Sequence, residues 1–457
     1  QKDRAFLFGS YEGFRERLGI SNLAIVPDEL ARQGFLPNAA GVPTLVANLN
    51  PAMLPYTSFW PLPNGRNLDG GVAESFSNPK QSIREDFGTL RADYTLSDRD
   101  SLSASYTVDD SEKLAPLADP LFGSNVTLRN QVLSLQETHV FSPRVLNTFR
   151  VGFSRAGFAY DSALLASFPS SLSFVAGAGP GGIVIGGGVT TTGLAALTSA
   201  GPSNAAGVWN RRNLFTYTDA LQISRGRHQI GVGIWLQRMQ ANENSASRTL
   251  GVATFNSLPL FLQGTVGTFQ AVPNATELGW RSLFGAWYAQ DAIKIRPNLT
   301  VQVGLRHEFT TGWNEVAGRG ANYLTDSNGV LLTDPRVGDS SFTENHAKRL
   351  FGPRIGLAWD PFSNGKTAVR ASYGTYYTLL DALSFHLNQI PPYNGVVTFS
   401  NVSLPSILPI LPNTPVQPSC TGGIGVPAGC TIFSPAGVQP DARTPTVQEW
   451  NFAVEQE

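Results

Sequence analysis

SLFGAWYAQDAIKIRPNLTVQVGLRHEF, residues 282–309, reads as two β-strands of about a dozen residues joined by a tight turn at Arg296-Pro297-Asn298. In the second strand Leu299, Val301, Val303 and Leu305 point one way, and Thr300, Gln302, Gly304, Arg306 and Glu308 the other. Side chains alternate across a strand, so one face is apolar and the other polar and charged. Strands of soluble sandwiches are usually shorter, with a mode of about 5–6 residues. Long strands with one apolar and one polar face suit a wall between lipid and a watery lumen. The first strand is undecided: Phe284, Ala286 and Tyr288 compete with Gly285, Trp287 and Ala289 for the apolar face.

The unit recurs. Ile83 to Asp110 forms the clearest hairpin, with Leu90, Ala92, Tyr94 and Leu96 alternating with Thr89, Arg91, Asp93 and Thr95. Further hairpins turn at Ser142-Pro143-Arg144, Arg225-Gly226-Arg227 and Phe362-Ser363-Asn364-Gly365. A first strand spans Arg4 to Phe14 and a last one begins near Thr446, about twelve in all. Short turns alternate with long segments at roughly residues 15–82, 111–127, 161–209, 241–280, 312–349 and 380–445. Outer-membrane barrels segregate short turns and long loops to opposite ends in this way. The expected fold is therefore all-β, a partial antiparallel transmembrane β-barrel with short periplasmic turns and long extracellular loops. Trp235, Trp287, Tyr288, Trp359, Tyr376 and Tyr377, near strand ends, are candidates for interfacial girdles.

Composition agrees. The 457 residues carry 33 Lys+Arg and 34 Asp+Glu, a formal net charge of -1, which points to no nucleic-acid partner. Charged residues are 15%, below the roughly 25% of soluble domains. Mean hydropathy is -0.08, and no apolar run long enough for a transmembrane helix exists. The chain opens on Gln1-Lys2-Asp3-Arg4 and stops at Glu455-Gln456-Glu457 inside a strand, so it is expected to be an internal piece of a longer protein. Cys420 and Cys430 sit in the Gly/Pro-rich stretch CTGGIGVPAGC. A disulfide closing a short loop is the preferred reading and two free thiols the alternative.

Chemistry-bearing motifs are sparse. Gly177-Ala-Gly179-Pro-Gly181-Gly182 satisfies G-x-G-x-x-G, but Ile183-Val184-Ile185 follows, and no helix starts there to hold a phosphate. The Gly/Ala/Thr-rich run 175–201 is expected to be a mobile or folded-in loop. The five histidines are scattered without ligand spacing, and no serine lies in a nucleophile elbow. No catalytic residue, metal or cofactor is expected. Arg91, Asp93, Arg150, Gln302, Arg306 and Glu308 are candidates for the lumen face, where they would pair with one another, contact a plug domain or touch a solute.

Four stretches carry a resemblance: KDRAFLFGSYEGFRER (2–17), WYAQDAIKIRPNLTVQVGLRHEF (287–309), FGPRIGLAWDPFSNGKTAVRASYGTYY (351–377) and TPTVQEWNFAVEQE (444–457). They resemble the barrel of TonB-dependent outer-membrane receptors, especially the Oar-like group. The resemblance implies a 22-stranded barrel, an N-terminal plug, a TonB-contacting segment and, in this group, a carboxypeptidase-regulatory-like domain. The plug and the closing strands have no counterpart among these residues. The implied function is energy-coupled uptake of a solute of glycan, peptide or siderophore class, with outer-membrane lipid, the plug and the TonB complex as partners. Ligand recognition is expected in residues 15–82, 161–209 and 380–445. A passive porin, a surface adhesin and a secreted soluble β-protein are the alternatives.

Overall fold

The computed structural model describes residues 4–186, 197–329, 332, 335–379, 392–411, 431–433 and 438–457. One antiparallel sheet organises them. Its strands are β1 (Ala5–Gly19), β2 (Lys80–Thr95), β3 (Asp100–Pro116), β4 (Phe122–Ser142), β5 (Val145–Leu164) and β6 (Val208–Arg225). Next come β7 (His228–Asn244), β8 (Leu278–Arg296), β9 (Leu299–Thr310), β10 (Leu350–Trp359), β11 (Thr367–Tyr377) and β12 (Thr446–Gln456). They lie side by side in chain order, and the two-residue strand Asn314–Glu315 pairs with β8 off this path. Among the described residues, β1 pairs only with β2 and β12 only with β11, so the sheet has two free edges.

Register decides the faces. Directly opposed residues in an antiparallel pair share a face. Leu90 opposes Tyr106, Tyr106 opposes Leu133, and Leu133 opposes Phe153, which opposes Phe215. Farther along, Ile234 opposes Trp287, Val303 opposes Ile355, Ile355 opposes Tyr373 and Tyr373 opposes Trp450. All of these side chains lie on one face. Leu90, Tyr106, Ile234, Trp287, Val303, Ile355, Tyr373 and Trp450 are exposed there. A belt of exposed aromatic and aliphatic side chains running strand after strand is a surface that water does not tolerate.

The ambiguity in β8 is resolved by the same register. Gly285, Trp287 and Ala289 belong to the apolar face, and Phe284, Ala286 and Tyr288 to the polar one. Trp235 and Tyr376 also fall on the polar face, so of the six girdle candidates only Trp287, Trp359 and Tyr377 point to the apolar side. Strand-end position alone does not choose a face; parity does.

Short turns close one end, at residues 96–99, 143–144, 226–227, 297–298 and 360–366. Long segments leave the other, with one correction. Residues 111–127 are not a loop: β3 and β4 stay paired as far as Pro116 and Gly123, leaving five residues between them. Polar residues such as Glu112, Lys113 and Asn125 continue the ladder where the apolar pattern has ended, so the alternation gave no warning of it.

The long segments fold together. Val252–Phe255, Thr265–Ala271 and Val397–Ser403 build a small sheet with Gly182–Ile185 and Thr431–Phe433, drawing on three different loops. Its core unites Met53, Phe59 and Trp60 with Phe122, Phe174, Ile183, Phe261, Phe269 and Leu404. The rings of Phe122 and Phe168 stack at 4.8 Å, and Phe59 meets Phe174 at 6.4 Å. Each buried Phe of this kind contributes about 1.5–3 kcal/mol. The segment 175–201, expected to be mobile or folded-in, thus supplies the core strand Gly182–Ile185 and the core residue Val175. Cys420 and Cys430 lie outside the described residues.

Candidate functional site

The polar face of β8 to β12 alternates glycine with long polar side chains. Gly304 opposes Gln290 and Arg354, Gly356 opposes Gln302 and Ser372, and Gly374 opposes Arg354 and Glu449. A side chain at Gly304 would press within 3.1 Å of Gln290 Cβ, and one at Gly352 within 2.6 Å of the Thr375 carbonyl. The glycines let the neighbouring arginines, glutamines and tyrosines lie across the strands instead of standing off them. The result is a groove of about 840 Å³ between Tyr288, Gln302, Arg306, Arg354, Tyr376 and Glu449. Arg354 lies 4.6 Å from the Tyr376 ring centroid, a cation–π contact. Arg306 Nε donates to Glu308 Oε1 at 2.9 Å.

Gln302 and Arg306 line this groove, and Glu308 adjoins it through Arg306. Arg91, Asp93 and Arg150 share the same face but lie elsewhere on the wall. Arg91 Nε donates to Asp93 Oδ2 at 2.7 Å, and Arg150 Nε donates to Gln136 Oε1 at 3.1 Å. The pattern that found Gln302 and Arg306 did not find Arg354, Tyr376, Glu449 or the glycines. Glycine between polar residues carries no alternation signal, and only the register shows that it sits opposite an arginine.

At the long-loop end, the segment 311–349 packs Trp313 onto polar-face positions Met239, Trp280 and Phe284 of β7 and β8. The two indoles meet at 6.3 Å. Glu315 fixes this segment. Its Oε1 accepts from the Gly279 backbone N–H at 2.8 Å, and its Oε2 from Ala317 and Arg319 at 2.8 and 3.0 Å. Burial pushes the Glu315 carboxyl up, but those donors and the Arg319 guanidinium together hold it below its ordinary value.

The small sheet and core built by the long segments form a cap, and beside it the short β3–β4 connection carries a further buried carboxyl, Asp119. It is fully buried, and its Oδ2 has no hydrogen-bond partner. Burial pushes its pKa up to about 7, against the pull of the Leu121 N–H and of Arg32. Arg32 is spent on the backbone, donating to the carbonyls of Pro27, Thr57, Trp60 and Pro61.

At the short-turn end, Asp100, Glu137 and His139 bring ligand atoms within 4.8 Å of one another, a grouping that histidine spacing in the sequence does not reveal. All three are half-buried, and His139 Nδ1 pairs with Asp100 Oδ1, so the arrangement ties β3 to β4 beside the turn.

A family model for the outer membrane beta barrel domain matches residues 1–457. No curated protein matches the chain. Among solved structures it is similar to the outer membrane transporter YddB from Escherichia coli, with 13% identity and a TM-score of 0.43 over 68% of this chain and 33% of that one. It is also similar to the alcaligin outer membrane receptor FauA from Bordetella pertussis, with 10% identity and a TM-score of 0.38 over 87% and 49%. The ferric-catecholate import receptor Fiu from Escherichia coli gives 12% identity and a TM-score of 0.42 over 87% and 55%. The chain spans between a third and just over half of the length of these structures. With a continuous apolar belt on one face of twelve paired strands, this chain belongs to the outer membrane β-barrel domain family and resides in the outer membrane.

Proposed function

We propose that this chain is the wall-and-loop portion of an energy-coupled outer-membrane transporter, and that its polar face lines the lumen. The groove of about 840 Å³ carries the reading. It is large enough for a solute, it is built from groups that bind hydroxyls, amides and carboxylates, and its glycine floor holds those groups flat against the wall. Arg354, Arg306, Gln302, Glu449 and Tyr376 would contact a polar solute of glycan, peptide or siderophore class passing along it. The two free sheet edges support further strands that complete a larger barrel. The resemblance to TonB-dependent receptors of the Oar-like group implies a plug inside it and TonB as the source of force. No catalytic step is assigned to these residues.

The test is uptake by cells producing the full-length protein, with labelled oligosaccharide, oligopeptide and ferric catecholate probes. Uptake of one class should stop on addition of a protonophore and fall when Gly356→Leu fills the groove. Uptake indifferent to the protonophore would leave a passive porin. The packed loop core favours a second reading, a surface adhesin, because a rigid cap presents a fixed binding surface. That reading predicts attachment to other cells or matrix without uptake of any probe.

A further inference from the structure

The apolar face carries a second feature at its long-loop border. Gly157 of β5 stands directly between Arg129 of β4 and Arg211 of β6. Arg155 lies two residues below Gly157 on the same face, and Arg84 with Asp110 closes the side toward β2 and β3. Together they enclose a pocket of about 420 Å³. A side chain at position 157 would stand 3.3 Å from the Arg129 carbonyl, so only glycine leaves the floor open.

The pocket is electrostatically unbalanced. Four arginines face one aspartate. Arg84 is neutralised by Asp110 and by Asp86 at 2.5 Å, and Arg129 reaches Asp110 only at 3.7 Å. Among the described residues no carboxylate pairs with Arg155 or Arg211; Arg211 instead lies over the Trp209 ring at 5.1 Å. Guanidinium groups brought together from three strands, one of them stacked on an indole, are suited to a phosphate.

Its height identifies the kind of phosphate. About ten residues of β5 separate Arg155 from the short-turn end; at roughly 3.3 Å each and a tilt of about 40°, they rise roughly 25 Å, the height of the apolar band. Immediately below the pocket, on the same face, Leu133, Phe153 and Phe215 begin the belt, and the Phe153 and Phe215 rings meet at 5.1 Å. Phosphate-binding groups directly above an acyl-compatible surface match a lipid whose headgroup is phosphorylated.

We propose that Arg129, Arg155 and Arg211, around Gly157, hold the headgroup phosphate of a phosphorylated lipid in the outer leaflet, with its acyl chains along Phe153 and Phe215. The proposal rests on the apolar face being the lipid side and does not depend on transport. The full-length protein, extracted from its membrane, is delipidated in detergent and titrated with diphosphoryl lipid A, its fully dephosphorylated form, and inorganic phosphate, with binding read by native mass spectrometry. The diphosphoryl lipid should bind, and the dephosphorylated one should not. Arg155→Gln with Arg211→Gln should weaken binding by about tenfold or more, since two charge-assisted bonds are lost. Arg150→Gln, on the polar face, should leave it unchanged, and heat-modifiable migration checks that each variant is folded. Equal retention by the folded double variant, or equal binding of the dephosphorylated lipid, overturns the proposal. Inorganic phosphate binding as tightly as the lipid would make this a free-anion site and overturn the lipid assignment.

Discussion

Tyr376 folds back over Gly374 so that its ring lies 4.6 Å from the guanidinium carbon of Arg354 on the adjacent strand. A Cβ at position 374 would fall 2.8 Å from the tyrosine ring, so the glycine is what permits the contact. At a wet site such a pair is worth about 0.5–1 kcal/mol. In urea unfolding from lipid vesicles, Arg354→Ala and Tyr376→Ala should therefore couple by about that amount in a double-mutant cycle. Gly374→Ala should abolish the coupling while costing little stability, because the ring only swings away. Fully additive effects would show that the two side chains act independently.

The assignment of faces makes a sharper claim. Val303 is 40% exposed on the apolar face, and its neighbour Gln302 lines the polar groove. Arginine at the lipid midplane costs about 2–4 kcal/mol, and in a polar lumen far less. Val303→Arg should lower the folded fraction in vesicles strongly, and Gln302→Arg should not. Equal folding of the two variants would place the membrane on the wrong side of the sheet.

These cases show what the sequence reveals and what it hides. β9 was legible because Val301, Val303 and Leu305 have polar neighbours on both sides. β8 was not, because Phe284 packs with Trp313 on the polar face and Ala286 is buried there too, so both faces of that strand are apolar at one end. The groove escaped for a related reason: Gly304, Gly356 and Gly374 matter through what stands opposite them, and the opposing residue is fixed by register, not by local pattern. The cap was hidden more deeply. Met53, Phe174, Phe261 and Leu404 meet in one core although long stretches of chain separate them, and no period links them. The arginines around Gly157 come from three strands and align only once those strands are paired.

Glu315 ties its loop segment to β8 through the Gly279 N–H and folds the segment onto itself through the Ala317 and Arg319 N–H groups. Glu315→Ala would leave Gly279, Ala317 and Arg319 N–H groups without their acceptor, at about 1–3 kcal/mol for each group that water cannot reach. Limited proteolysis should then cut this segment much faster than in the parent, while the wall remains intact. The pH dependence has a definite sign. The folded pKa lies below the ordinary 4.5, so the ionised carboxylate stabilises the segment fully above that value. The stabilisation is lost as pH falls through the depressed folded pKa, and cleavage should accelerate there. A segment equally resistant in parent and variant across this range would remove Glu315 from its anchoring role.

Asp119 should act in the opposite sense. Its carboxyl is buried within reach of Arg32, which is committed to four carbonyls, and Asp28, the other carboxylate acting on that arginine, has its Oδ1 accepting from the Ala31 N–H. With the folded pKa raised from 3.8 to about 7, the neutral form is the one the fold prefers. Below the unfolded pKa both states are protonated and the cap is at its most stable. As pH rises the unfolded chain ionises first, and stability falls by about 1.4 kcal/mol per pH unit until the folded carboxyl ionises as well. The near-ultraviolet signal of the Phe- and Trp-rich core should therefore melt at a lower temperature at pH 8 than at pH 5. Asp119→Asn, which cannot ionise, should flatten that difference and raise the melting temperature at pH 8 above the parent's. The same decline with pH in parent and variant would show that another group governs the cap.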